Sequence, residues 1–172
     1  GIAVKVDHGV DAEIGALFEQ VRAEQGKLDI LVNNVYKIPD PPAWGGGFWD
    51  HPISIWDDQV GIGLRAHYVA SWYAAPLLFA GGPGGAIFNV SSPGGQSYHF
   101  SSSYGAGKAG LDRLSADMAI ELEPKNAMAH YNLGFRLEQK GLVDEAIASY
   151  RKAVELSPDN ANAAFGLGKA LA

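Results

Sequence analysis

Asn89-Val90-Ser91-Ser92 and, one loop later, Tyr104-Gly105-Ala106-Gly107-Lys108 decide how this chain is read. The apolar run over residues 86–92 reads as a strand whose register delivers two serines to the carboxyl edge, where open parallel sheets bind ligands. Tyr104 and Lys108 lie four apart on the helix that follows, so they share one face. An ammonium beside a phenol favours the phenolate. An unperturbed tyrosine titrates near pH 10, so proton transfer close to neutrality needs such a fixed positive charge. A serine hydroxyl on the incoming turn would hold a carbonyl or alcohol oxygen against that tyrosine. Ser91 and Ser92 both remain candidates.

Working upstream, residues 2–6 form a short β-branched run expected to be a buried strand, with Asp7 at its carboxyl end. Residues 10–25 place Ile14, Leu17, Phe18 and Val21 at helical spacing, and Gly26 ends the pattern. Residues 28–34 read as the next strand, closing on Asn33-Asn34-Val35-Tyr36. Residues 37–53, with Pro39, Pro41, Pro42, Pro52, Trp44, Trp49 and a glycine triplet, are expected to be a loop folded over its own tryptophans. Ser54-Ile55-Trp56-Asp57 has capping-box spacing and predicts a helix running to about residue 80 with a kink at Pro76.

Four ordered motifs carry a family resemblance: Leu28 to Asn34, Trp56-Asp57-Asp58 with Gly63-Leu64-Arg65, Asn89 to Ser92, and Tyr104-x-x-x-Lys108. Together they resemble the short-chain dehydrogenase/reductase family, in particular its dehydrogenase/reductase member 1 branch. The resemblance covers residues 1 to about 122 and implies a Rossmann-like fold and an oxidoreductase using NAD or NADP on a small carbonyl or alcohol. It implies a catalytic set of Tyr104, Lys108 and Ser92 or Ser91, with Ser92 favoured because Pro93-Gly94 follows it as in that branch. For the dinucleotide it implies Asp7, Asn33, Asn34, Tyr104 and Lys108. Asp7 equally suits a turn or a helix cap, and the paired asparagines equally suit bracing of the sheet edge. The family's relay asparagine aligns with Gly63, which leaves three of four catalytic residues. Tyr36 replaces a usual glycine and is expected near the path of the adenosine. The family's helix over residues 54–80 also pairs with its copy in a second subunit, a role open to Tyr68, Trp72 and Tyr73.

From residue 119 the chain repeats itself with a period of thirty-four: Ala119-Ile120-Glu121-Leu122-Glu123-Pro124 returns as Ala153-Val154-Glu155-Leu156-Ser157-Pro158, and Leu133-Gly134 as Leu167-Gly168. That period, with Ala146, Tyr150, Ala153 and Pro158 in place, resembles the tetratricopeptide repeat. Helices are expected over residues 127–140 and 143–156, followed by the first helix of another repeat. Such helices commonly engage a protein or peptide partner.

Composition narrows the classes further. The net charge of −6 is spread along the chain, which disfavours nucleic acid. No apolar run reaches the length of a membrane span. The five histidines show no i, i+3 or i+4 pair, so no metal site is expected, and the absence of cysteine fits the cytoplasm. The chain starts at Gly1 on a strand pattern and reads as an internal fragment, without the glycine-rich first turn that lays a pyrophosphate on a helix N-terminus.

The expected fold is thus α/β, a partial Rossmann-like parallel sheet of three strands with flanking helices over residues 1–122. An all-α tetratricopeptide hairpin plus one helix follows over residues 123–172. The expected function is oxidoreductase chemistry by resemblance, with no turnover by these 172 residues alone. Two other readings stay open: an interaction module on a degenerate α/β scaffold, and a chimeric fragment without selected activity.

Overall fold

The computed structural model describes all residues except Pro41, Ala43 and Trp44, and the parts of the loop reading that rest on Pro41 and Trp44 lie outside the described residues. The chain divides into two compact units, Gly1–Asp112 and Arg113–Ala172.

In the first unit, α1 (Asp11–Gln25) ends where Gly26 takes φ 72°, a left-handed turn that a side chain would strain. β1 (Ile30–Asn33) and β2 (Ala86–Asn89) pair in parallel, Ile30 against Ala86 and Asn33 against Asn89. Between them come α2 (Ser54–Trp56), a π-helical segment (Asp57–Arg65) and α3 (Ala66–Ala80). Leu31 and Ile87 point to one face and pack on Ile14, Phe18, Ala70, Ala74 and Leu77, which is the core. Period-two alternation turns Ile30, Val32 and Phe88 to the opposite face, where they are exposed.

Two expectations are corrected. The sheet has two strands among the described residues, not three: residues 2–6 carry no ladder. In a doubly wound sheet other strands separate a strand at this position from β1, and without a neighbour its N–H and C=O groups have nothing to pair with. Only Val6 of this run packs against the core. The Ser54 capping box is also absent: the residue flanking the helix is Ile53, and no side chain caps it. The helix begun at Ser54 continues to Ala80 through the π-helical segment, and Pro76 sits inside α3. Gly61 and Gly63, poor helix formers, lie in that segment, and π-turns gather at functional sites. The loop that follows β1 carries Trp49 exposed, edge-on to Phe48, with His51 bonded to the Gly45 carbonyl at 2.7 Å.

α4 (Ser102–Leu122) begins where the Ser101 hydroxyl accepts from the Tyr104 N–H at 3.2 Å, a helix cap that fixes the register of Tyr104 and Lys108. It runs unbroken through Leu122. The second unit contains α5 (Ala127–Gln139), α6 (Val143–Leu156) and α7 (Ala161–Ala170). Asn126 and Asn160, thirty-four apart, cap α5 and α7: each side-chain oxygen accepts from the helix's first free N–H groups. The Tyr150 ring is wedged between Gly134 of α5 and Gly166 of α7, and its hydroxyl donates to Glu138 at 2.8 Å. No helix among the described residues is long and apolar enough to cross a membrane.

Candidate active site

β2 ends at Asn89, and the turn beyond it brings Ser92 beneath Tyr104. The Tyr104 hydroxyl donates to Ser92 Oγ at 2.7 Å, and Ser92 Oγ also accepts from the Gly94 N–H at 3.1 Å. Ser91 Oγ is buried and without a partner, so Ser92 is the serine that reaches the tyrosine. A glycine is required at 94: a Cβ there would lie 2.4 Å from Tyr104 Cε1.

Lys108 is buried, and its Nζ donates to the Val90 carbonyl at 3.0 Å. Burial pushes its ammonium below the usual lysine range, against the opposing pull of Asp112. Nζ lies 6.0 Å from the centre of the Tyr104 ring and 5.9 Å from that of Tyr36. Gly107 lets α4 approach the π-helical segment, since a Cβ there would meet the Gln59 carbonyl oxygen at 2.8 Å. The residues of that segment facing α4 are therefore Gln59 and Val60, with Leu64 opposite Gly110; an added Cβ at Gly63 meets nothing.

Tyr36, Phe100 and Tyr104 form an aromatic group, with Tyr104 edge-on to Tyr36 at 5.7 Å and to Phe100 at 5.2 Å. Tyr36 thus stands beside Tyr104 and Lys108; burial pushes its phenol up, and Gln59 opposes that shift. Phe100 has φ 60°, a left-handed conformation that a bulky residue rarely adopts. No sequence signal marked Phe100, whereas Tyr36 was visible as a departure from glycine.

Asn33 is buried, and its amide nitrogen donates to Asn89 Oδ1 at 2.9 Å, Ser71 Oγ at 3.1 Å and the His67 carbonyl at 3.3 Å. It braces the two strand ends against α3. Asn34 is exposed one residue on. Fully buried His67 holds the next turn through Nε2 and the Val35 carbonyl at 3.1 Å. Burial pushes its imidazole down, the Val35 contact opposes this, and the Lys108 charge adds to the lowering. His67 is a residue that sequence reading missed; a histidine inside an apolar helix stripe was the available signal.

Asp7 forms the turn into α1, its Oδ1 accepting from the Gly9 N–H at 2.8 Å. It lines a cleft of about 660 Å³ together with Lys5, His8, Val35, Tyr36 and Lys37. His8 Nδ1 is buried in this wall without a partner.

A parallel sheet with a serine beyond its carboxyl edge and a tyrosine and lysine on the next helix is an arrangement of Rossmann type. The chain belongs to the short chain dehydrogenase family, whose model matches residues 2–131, and residues 136–172 match a TPR repeat model. Mouse dehydrogenase/reductase SDR family member 1 is 43% identical over 150 residues, covering 86% of this chain and 47% of the mouse protein. Its human counterpart is 44% identical over 124 residues, covering 70% of this chain and 39% of the human protein. The chain thus spans less than half the length of these relatives. Among solved structures, 7α-hydroxysteroid dehydrogenase complexed with NADH and 7-oxo glycochenodeoxycholic acid superposes with a TM-score of 0.62 at 27% identity, over 73% of this chain and 47% of that one. A short-chain dehydrogenase/reductase from Serratia marcescens gives 0.62 at 28% identity, over 72% and 48%.

Proposed function

We propose that residues 1–122 carry the proton-transfer centre of an NAD(P)-dependent oxidoreductase interconverting a small carbonyl and an alcohol, and that residues 123–172 form a repeat unit for protein contact. The observation that carries the first part is the 2.7 Å bond between Tyr104 and Ser92 with Lys108 held behind it. In reduction, Tyr104 gives its proton to the substrate oxygen while the Ser92 hydroxyl holds that oxygen. The Lys108 ammonium stabilises the phenolate left behind. The dinucleotide supplies the hydride. The cleft beside Asp7, lined also by Lys5, Glu13 and Lys37, suits a group rich in hydrogen-bonding edges. Asp7, Asn34, Tyr104 and Lys108 are the residues assigned to it. Asn33 acts by bracing the strands, since its amide nitrogen is already committed to three acceptors.

These 172 residues alone are not expected to turn over. A parallel sheet works covered on both faces, and here Ile30, Val32 and Phe88 leave one face bare, so further chain or a partner must cover it. On α3, Tyr68 and Trp72 are exposed whereas Tyr73 stacks on Phe18; we assign that outer stripe to a second copy of the chain. An interaction module is the second reading, favoured by the TPR repeat match over residues 136–172. The test is NADH and NADPH oxidation by the 172-residue chain with a panel of ketones and aldehydes. No turnover is expected. Turnover that vanishes in Tyr104→Phe would overturn the inactivity while supporting the site; turnover indifferent to Tyr104 would overturn the site.

A further inference from the structure

Lys108 is 6% exposed, and a buried ammonium needs its charge answered from within the fold. Among the described residues, Nζ has one hydrogen-bond acceptor, the Val90 carbonyl at 3.0 Å, and no ion pair; Asp112, one helical turn on, attracts it from a distance. Two ring faces stand where a counter-ion would. Nζ lies over the Tyr36 ring, 5.9 Å from its centre, and over the Tyr104 ring, 6.0 Å from its centre. An aromatic face attracts a cation out to roughly 6 Å. Tyr36 is fixed in this place. Its ring meets Tyr104 edge-on at 86°, and Gln59, 2% exposed, donates from Nε2 to the neighbouring Lys37 carbonyl at 3.1 Å. The Gln59 carbonyl oxygen is also what a Cβ at Gly107 would meet at 2.8 Å. One residue of the π-helical segment thus seats both neighbours, Lys37 beside Tyr36 and Gly107 beside Lys108.

We infer that Tyr36 is a positioning residue for proton transfer: with Tyr104 it forms a two-ring seat that keeps the Lys108 ammonium charged inside the fold. Tyr104 does not suffice alone, because its ring is the group whose charge changes in the reaction, whereas the Tyr36 face stays the same throughout. The inference rests on the oxidoreductase reading for its consequence, a stabilised Tyr104 phenolate, and not for the seat itself. The groups that act on Lys108 are few. Burial pushes the ammonium down and Asp112 pulls it up; a ring face, which favours the charged form, adds to the pull. His67 on α3, kept low by burial, carries no charge in the alkaline range where a lysine titrates.

The test is an NMR pH titration of the full 172-residue chain with its lysines carbon-13-labelled at Cε, the Lys108 signal being identified by its loss in Lys108→Arg. Tyr36→Phe is the conservative variant: it keeps the ring face, removes a second titrating group, and should leave Lys108 titrating as it does beside tyrosine. The same position then receives phenylalanines with one, two and three ring fluorines. These keep the shape and burial of the ring, so the chain folds, and they draw electron density away from its face. Each added fluorine should lower the Lys108 midpoint. With three, the ratio of charged to neutral Lys108 at a given pH should fall by about tenfold. A midpoint that ignores fluorine, or rises with it, would overturn the inference and leave the oxidoreductase reading to its own turnover test, which this titration does not use.

Discussion

Gly134→Ala tests whether the repeat unit is built around the Tyr150 wedge. The new Cβ would lie 2.7 Å from Tyr150 Cδ1, and the ring cannot retreat, because Gly166 bounds its other side and the hydroxyl is tied to Glu138. Overpacking of this kind costs about 1–3 kcal/mol, and replacing a helical glycine by alanine returns about 0.8–1.0 kcal/mol. The mid-range net loss is about 1 kcal/mol, roughly a fivefold rise in the open population. All four tryptophans lie before residue 113 and are blind to this unit, so the assay is hydrogen exchange followed by mass spectrometry on peptides from α5 and α6. Gly134→Ala should speed exchange there. In a Tyr150→Leu background the same change should slow it, because only the helix-propensity gain remains. Gly168→Ala, at the same repeat register with nothing near its Cβ, should slow exchange in α7. If Gly134→Ala and Gly168→Ala shift exchange in the same direction, the wedge reasoning is refuted.

Three further outcomes are expected. Asn33→Leu removes a buried amide whose two N–H groups are shared among Asn89 Oδ1, Ser71 Oγ and the His67 carbonyl; it should cost about 1–3 kcal/mol in tryptophan-monitored urea unfolding. His67, with its folded-state pKa depressed by burial, stabilises the first unit fully above the unfolded value near 6.5; that contribution is lost as pH falls below it, because the unfolded chain then binds the extra proton. The urea midpoint should therefore drop between pH 7 and 5, and His67→Asn should flatten that slope. Gly94→Ala drives a methyl into the Tyr104 ring and should displace its hydroxyl from Ser92. Grafted into a full-length relative, it should reduce kcat by on the order of 10²-fold with little change in dinucleotide binding.

Much of this was legible in the sequence, and the misses share a cause. Local patterns fixed the helices: Gly26 as a stop for α1, the period of thirty-four behind α5 to α7, and the spacing that puts Tyr104 and Lys108 on one face. The failures concern partners distant in the chain. Residues 2–6 have strand composition, but a strand is defined by its neighbour. The π-helical segment Asp57–Arg65 seats Gly107 of α4 on Gln59, a contact no window of sequence contains. Tyr36 stood out only as a departure from glycine; that its ring meets Tyr104 edge-on is another contact between residues distant in the chain. Ser92 over Ser91 came from the Pro93-Gly94 that follows, and the geometry shows why that turn matters: the Gly94 N–H orients the Ser92 oxygen.

The central claim is that this chain's Ser92, Tyr104 and Lys108 are competent for carbonyl–alcohol proton transfer. The measurement is dinucleotide-dependent carbonyl reduction by the full-length mouse relative carrying residues 2–122 of this chain in place of its matching segment. The account predicts turnover that falls by at least about 10²-fold in Tyr104→Phe, since general acid–base catalysis contributes about that much, while dinucleotide affinity is retained. Turnover unchanged by Tyr104→Phe in a folded, dinucleotide-binding graft would contradict it.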